Sequence, residues 1–281
     1  GRMLGISMMG ANFGGVTMPF FASVLVSSNG WQHTYTTFGL LCLAAALGAM
    51  LFIKDDPLSS NSTTKNTNRT IQNGATVREA LHSNSFYFVV LGVMAASFTY
   101  QSVLTQIIPH LQNEGMTVES ASVFLGFVAG FGMLGKMVYG ILTERLASRY
   151  VLMIALLSQS LGLAIIISVP TSHFVWIATP IYGMALGGTG VIMAILAQQT
   201  FGLKNFGTIF GLINMATAAS ALLGPIMVGA TFDSTGSYRF AFIIVAFIFG
   251  LGILSLRKAT PIVEIQEDQA GKIESPITRI G

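Results

Sequence analysis

The chain alternates between long apolar stretches and short polar loops. Eight of the stretches are each about as long as a helix that crosses the roughly 30 Å hydrocarbon core of a bilayer. This pattern predicts membrane-spanning helices at residues 3–26, 34–53, 85–108, 120–142, 150–169, 174–197, 206–230 and 240–256. Lys136 is the only formally charged side chain inside these stretches. The predicted fold class is therefore an all-α membrane protein with eight transmembrane helices.

The lysines and arginines outside the stretches fall almost entirely on alternate loops. Only Arg239 lies on one side of the predicted membrane. The other side holds Arg2, Lys54, Lys65, Arg69, Arg78, Arg145, Arg149, Lys204, Arg257, Lys258, Lys272 and Arg279. Because basic loops stay in the cytoplasm, both ends of this chain are predicted to be cytoplasmic, in a plasma or inner cell membrane.

The composition agrees with a bilayer environment. Apolar residues make up 52% of the chain and charged residues only 9%, whereas about 25% charged residues is usual in a soluble domain. The basic residues are scattered over the loops and form no single patch, so no nucleic-acid partner is expected. Cys42 is the only cysteine, which predicts neither a disulfide framework nor a Cys/His metal site.

Enzyme chemistry is not predicted. The sequence has no phosphate-binding loop, no paired carboxylates within the apolar stretches and no Ser/His/Asp grouping. We therefore expect a protein that is not an enzyme, has no cofactor and takes its energy from gradients.

The order of the stretches predicts two helical bundles joined by a linker. Residues 54–84 form the longest polar segment, rich in Ser, Asn and Thr, and are expected to be a flexible cytoplasmic linker. The stretches 3–26 and 206–230 share the spacing of several Gly, Met and Pro residues. Parallel repeats of this kind occur in two-bundle transporters. The chain begins at Gly1 without an initiator Met, so we expect it to be a piece of a longer protein.

Several motifs carry a family resemblance. The segment 140–149, GILTERLASR, resembles the cytoplasmic loop between helices 8 and 9 of the major facilitator superfamily, with Glu144 in place of the usual Asp. Residues 108–116, IPHLQNEGM, and 206–211, FGTIFG, are similar to segments of the monocarboxylate porters and the oxalate:formate exchangers.

This resemblance implies a helix assignment and domain boundaries. The chain would cover the family's fifth to twelfth helices. Residues 1–53 would be the last two helices of the N-terminal bundle, 54–84 the linker, 85–258 the C-terminal six-helix bundle and 259–281 a cytoplasmic tail.

Lys136 is the main candidate for binding chemistry. A charged side chain at membrane depth is costly unless it reaches water, a partner or a cavity, so it is a functional candidate by default. Ala129, Gly132 and Gly140 lie on the same helical face, which leaves room for an anion or lets another helix approach closely. Alternatively, Lys136 extends to the headgroups or braces the following loop.

The resemblance also bears on Lys136. It implies a cation at this position that binds a substrate carboxylate. The position of the family's proton-coupling carboxylate is Gly132 here, and the second cation of the oxalate exchangers is absent from the helix that carries Asn214, Thr217 and Ser220.

Other candidate residues are polar positions on the predicted helices and the cytoplasmic loop. The predicted substrate-binding set is Lys136, Gln101, Asn214, Thr217 and Tyr100. The predicted gating set is Gly140, Glu144, Arg145 and Arg149, which can pair with each other and with helix ends. Alternatively, the loop charges form a solvated turn. The four histidines, His33, His82, His110 and His173, are all expected in loops without metal-ligand spacing, and His110 is expected at the surface, with sensing of outside pH as the alternative.

The most favoured function is secondary transport of small organic anions, such as monocarboxylates, by alternating access. The expected partners are the anion, a coupling proton or counter-substrate, and the lipid bilayer. Two alternatives remain open: a multidrug or neutral-metabolite exporter of the same superfamily, and a truncated membrane fragment that does not transport.

Overall fold

The computed structural model describes Phe21, Leu25, Val26 and residues 30–50, 74–168 and 173–260. The chain divides into two compact units, one of residues 10–71 and one of residues 1–9 and 72–281. Apart from one isolated pair of bridged residues, the regular structure in the described ranges is helical. The all-α prediction is therefore confirmed.

The described part of the first unit is mainly one helix, α1 (Gly30–Met50), which is long and apolar enough to cross a membrane. Its large side chains, such as Trp31, Leu40 and Leu47, are exposed. Hydroxyl groups in its first turns donate to backbone carbonyls one turn earlier; the distance from Thr34 Oγ1 to the Gly30 oxygen is 2.9 Å. Such bonds satisfy polar groups inside a bilayer.

The second unit contains the remaining described helices. They are α2 (Val77–His82), α3 (Asn84–Asn113), α4 (Val118–Arg145), α5 (Ser148–Ser168), a 3₁₀ turn (His173–Ile177), α6 (Ala178–Phe201), α7 (Phe206–Thr235) and α8 (Tyr238–Arg257). All except α2 and the 3₁₀ turn are long and apolar enough to span a membrane. Of the eight predicted spans, seven lie within or largely within described helices, and the predicted span 3–26 lies outside the described residues except for Phe21, Leu25 and Val26.

The six long helices of this unit form a bundle. Helix α4 packs mainly on α6, α6 on α5, α5 on α8, α8 on α3, and α3 on α7. Contacts at both ends show that α3 and α8 are antiparallel: Ser85 Oγ lies 3.0 Å from Thr260 Oγ1 at one end, and Glu114 bonds Arg239 at the other. Many large apolar side chains on the outside of the bundle are exposed, as expected for a lipid-facing surface.

The last part of the predicted linker is folded. Gly74 pairs with Gly202, and the Ala75 amide donates to the Phe201 oxygen at 2.8 Å. Thr76 and Glu79 form a capping box at the start of α2. The hydrogen bond from the Thr76 backbone N–H to the Glu79 carboxylate lowers the pKa of the Glu79 carboxyl. The predicted flexibility is therefore wrong for residues 74–84, which are held against the bundle; residues 54–73 lie outside the described ranges.

The predicted orientation of the chain can be tested with reporters. Because the basic loops are predicted to be cytoplasmic, a reporter that is active only in the cytoplasm should be active when fused after Lys258. The same reporter inserted after Gly115, in the turn between α3 and α4, should be silent. The opposite pattern would reverse the predicted orientation.

Candidate functional site

Lys136 lies in the interior of α4 and is half-buried. It is about 13 Å along the helix axis from the end of α4 at Arg145. In the described membrane helices, every other Asp, Glu, Lys or Arg lies within three residues of a helix end. Lys136 is thus the one charge that these helices carry away from their ends.

The small residues near Lys136 serve mainly to bring two helices together. A Cβ atom added to Gly132 would lie 3.4 Å from the Gly183 oxygen and 3.6 Å from Gly187 Cα in α6. Added to Gly135 or Gly187, it would fall inside the backbone of the facing helix. Of the two explanations for the small-residue stripe, the structure therefore shows close helix approach at Gly132.

An open apolar groove of about 510 Å³ lies along α4, on a face away from Lys136. Its lining residues are Val123, Gly126, Phe127, Gly130, Phe131 and Leu134. None of these side chains carries a polar atom. The groove therefore offers an organic anion nothing to bind.

Tyr100 and Gln101 both lie in α3 and are half-buried. Thr105 Oγ1 donates a hydrogen bond to the Gln101 backbone oxygen at 2.7 Å. The side-chain amide of Gln101 takes no part in this bond. Tyr100 lies near Tyr182 of α6. Tyr182 is fully buried, and its hydroxyl has no hydrogen-bond partner among the described residues.

Asn214 and Thr217 lie one turn apart in α7 but differ in exposure. Asn214 is exposed, and its Nδ2 donates to the Phe210 oxygen at 2.9 Å. Thr217 is buried, and its hydroxyl donates to the Asn214 backbone oxygen at 2.8 Å. The hydroxyl of Thr217 is thus used within its own helix, whereas the Asn214 side chain is exposed.

The predicted substrate-binding residues fall on two helix pairs. Tyr100, Gln101, Asn214 and Thr217 lie on α3 and α7, which pack closely where Gly224 meets Phe98 and Ser102. Lys136 lies on α4, whose main partner is α6. The neutral polar candidates thus lie on two helices that pack on each other, and the cation lies on another helix pair. Gly224, not Asn214 or Thr217, is the residue of α7 that lies beside Phe98 and Ser102.

The predicted gating residues lie where α4 ends and α5 begins. Gly140 is buried, and its oxygen accepts a 2.7 Å bond from Thr143 Oγ1. Glu144 and Arg145 are exposed. Arg149 donates from Nη1 to the Ala259 oxygen at 2.8 Å and stacks over the Tyr150 ring at 4.7 Å. Arg149 thus links the start of α5 to the segment that follows α8.

Sequence reasoning missed two polar links within the bundle. Ser148 donates from its backbone N and its Oγ to Gln199 Oε1, at 2.9 and 2.7 Å. In the buried interior, Gln159 Nε2 donates to Thr189 Oγ1 at 3.2 Å. The signal that could have found the second link is Gln159 inside an apolar stretch, where a buried amide needs a partner. Gln199 lies just beyond the predicted stretch 174–197 and gives no such signal.

The histidine predictions are partly wrong. His33 lies in α1, His82 in α2 and His110 in α3 rather than in loops. His110 is fully buried, so its expected surface position is also wrong. Across the described ranges, no group of three or more His, Cys, Asp or Glu side chains is placed to hold a metal ion.

Several known proteins are similar to this chain in sequence. It is 21% identical over 290 residues to the probable sulfoacetate transporter SauU of Cupriavidus necator, a match that covers 96% of this chain and 67% of the relative. It is 22% identical over 259 residues to the hexuronate transporter of Bacillus subtilis, covering 86% and 61%. It is 26% identical over 167 residues to monocarboxylate transporter 14 of Homo sapiens, covering 57% and 32%.

A solved structure and a protein-family model also match this chain. The Major Facilitator Superfamily transporter FucP in the outward conformation superposes with a TM-score of 0.68 at 18% identity, covering 92% of this chain and 67% of FucP. This chain thus spans about two thirds or less of the length of the proteins it matches. The family model of the Major Facilitator Superfamily matches residues 1–225. Because that match covers most of the chain, the chain belongs to the Major Facilitator Superfamily.

Proposed function

We propose that the full-length protein is a secondary transporter that moves small organic anions, with monocarboxylates as the first class to test, by alternating access. The observation that carries the proposal is Lys136, a half-buried cation in the interior of a membrane helix. A charged side chain at membrane depth is costly, and such residues commonly mark substrate or ion pathways. In this proposal the Lys136 ammonium binds the substrate carboxylate during each transport cycle.

The names of the relatives support an anionic substrate. Sulfoacetate and hexuronate, which appear in two of those names, are both acids that carry negative charge at neutral pH. The human relative is named a monocarboxylate transporter. A cation that binds a carboxylate group would suit all three classes.

The polar residues of α3 and α7 complete the proposed binding set. Gln101 is half-buried and Asn214 is exposed, and both carry amides that can donate and accept hydrogen bonds. Tyr100 adds a half-buried hydroxyl. We assign Thr217 a supporting role, because its hydroxyl is bonded to the Asn214 backbone.

The gating residues have a separate proposed role. In this proposal Gly140, Glu144, Arg145 and Arg149 stabilise one conformation of the transport cycle. The bond from Arg149 to the Ala259 oxygen supports a role in holding one arrangement, because it fixes the start of α5 to the segment that follows α8. A proton or a counter-substrate would supply the driving gradient.

The substrate class can be tested with the full-length protein in sealed vesicles. Uptake of labelled lactate, formate and oxalate should be saturable and should exceed uptake by vesicles without the protein. Saturable uptake of fucose but of none of the acids would favour the neutral-substrate alternative. If no labelled compound accumulates although the protein is correctly inserted, the non-transporting alternative is favoured.

A further inference from the structure

His110 occupies an unusual position for an ionisable side chain. It lies near the end of α3 with an exposed fraction of 0%. Neither ring nitrogen has a hydrogen-bond partner among the described residues. The backbone of Ile166 in α5 also faces the ring, but without the geometry of a hydrogen bond. Buried polar groups are normally bonded, so this imidazole needs an explanation.

Aromatic rings from α8 enclose the imidazole. The centroid of the His110 ring lies 5.0 Å from that of Phe242 and 6.1 Å from that of Tyr238, both in edge-to-face arrangements. Tyr238 in turn stacks on Phe232 of α7 at 4.2 Å. The ring is therefore held in an apolar site where α3, α7 and α8 meet.

A charged pair closes the site at the surface. Glu114, one turn after His110, accepts two bonds from Arg239 of α8: 2.9 Å from Nε to Oε1 and 2.7 Å from Nη2 to Oε2. The Arg239 hydrogen bonds lower the pKa of the Glu114 carboxyl. We call His110, Glu114, Tyr238, Arg239 and Phe242 the end latch, because they join the end of α3 to the start of α8.

The charged and titratable groups near the imidazole come from each packed helix. Glu114 is on its own helix, Arg239 and Tyr238 are on α8, and Asp233 of α7 interacts with Tyr238. Ile166 brings only its backbone from α5. Glu114 and Arg239 are paired with each other by a 2.7 Å ion pair, so their charges already neutralise each other.

We propose that the end latch is a proton-operated switch. It is closed while His110 is neutral, and it opens between α3 and α8 when His110 binds a proton. A charged imidazole cannot remain among Phe242, Tyr238 and Ile166, because an ion without water or a partner is strongly destabilised there. After protonation, the imidazole either moves into water or binds the Glu114 carboxylate in place of Arg239. Either movement breaks the contact between α3 and α8.

The predicted topology indicates on which side of the membrane the switch would sense protons. The turn after Glu114 is predicted to lie outside the cell, so the latch would respond to external acid. This regulation goes beyond the proposed transport function and does not depend on which substrate is carried. It can therefore be tested without a transport assay.

Hydrogen exchange followed by mass spectrometry measures the opening directly. The amides of Glu114, Gly115 and Met116 are bonded to the oxygens of residues 110–112 at 2.9 to 3.1 Å, so they report on the end of α3. A hydrated imidazole titrates near pH 6.5, so lowering the pH from about 7.5 to about 5 should favour the open latch by roughly 30-fold. Protection of these amides should fall by up to that factor, after correction for the pH dependence of chemical exchange.

Two variants of the full chain distinguish opening of the end latch by His110 protonation from other effects of low pH. His110→Phe keeps an aromatic ring among Phe242 and Tyr238 but cannot bind a proton, so its protection should not change with pH beyond that correction. His82→Gln removes an exposed histidine of α2 and should behave as the wild type does.

Two results would overturn the switch. One is equal loss of protection in wild type and His110→Phe. The other needs no variant: a wild-type chain whose amides at residues 114–116 stay equally protected at both pH values has no proton-operated latch.

Discussion

Replacing Gly187 by Ala should prevent most of the protein from folding. A Cβ at this position would fall inside the Gly132 backbone of α4, and neither backbone can move without separating α4 from α6. Overpacking a tight core usually costs about 1–3 kcal/mol, and a clash between two backbones should lie at or above the top of that range. The yield of monodisperse protein in detergent and its thermal midpoint should both fall sharply.

Gly190→Ala is the matched control on the same helix. An added Cβ at Gly190 meets nothing within 4 Å, and Ala favours a helix over Gly by about 1 kcal/mol. This variant should fold at least as well as the wild type. If Gly187→Ala were equally well tolerated, the close crossing of α4 and α6 would be incorrect.

The spans and the superfamily could be predicted from the sequence because both depend on local patterns. A bilayer needs an apolar run of a certain length, and seven of the eight predicted runs lie within or largely within the long described helices. Helix ends were less well predicted; α7, for example, continues to Thr235 rather than residue 230. The last turns of such helices contain polar residues that reach the interface, so the apolar pattern stops before the helix does.

The surroundings of His110 could not be predicted in this way. Its position beside Pro109 and a polar segment is typical of a loop, whereas its burial depends on Tyr238 and Phe242, which are far away in sequence. The same limit applies to Gly132, whose role is set by Gly183 and Gly187 on another helix. Contacts between distant helices leave no periodic signal in one sequence.

For the candidate binding residues, the sequence could predict some features and not others. The sequence identified Lys136 because a charge inside an apolar stretch is conspicuous, and the structure places it half-buried in the interior of α4. It could not show that Thr217 is buried while Asn214, three residues earlier, is exposed. That difference depends on how α7 is rotated against α3.

Replacing Lys136 by Gln should abolish uptake of organic acids by the full-length protein. The ammonium is proposed to bind the substrate carboxylate, and a neutral amide loses that charge interaction while being easier to bury. The amount of protein in the membrane should therefore stay the same or rise. Lys136→Arg should keep part of the activity, because its charge remains while its donor geometry changes.

Lys204→Gln is the control for the loss of one positive charge. Lys204 lies in the turn between α6 and α7, where it interacts with Glu79. Its replacement should leave uptake nearly unchanged. If Lys136 only reached the lipid headgroups, Lys136→Gln would likewise leave uptake nearly unchanged.

The most direct test of the central claim is the initial rate of uptake by Lys136→Gln vesicles at a series of substrate concentrations. The acid used should be the one that the wild type transports best, and the protein content of the vesicles should be matched. We expect the rate to fall to the level of vesicles without the protein, while Lys136→Arg remains above it. Saturable uptake by Lys136→Gln at the wild-type rate would show that Lys136 does not bind the anion.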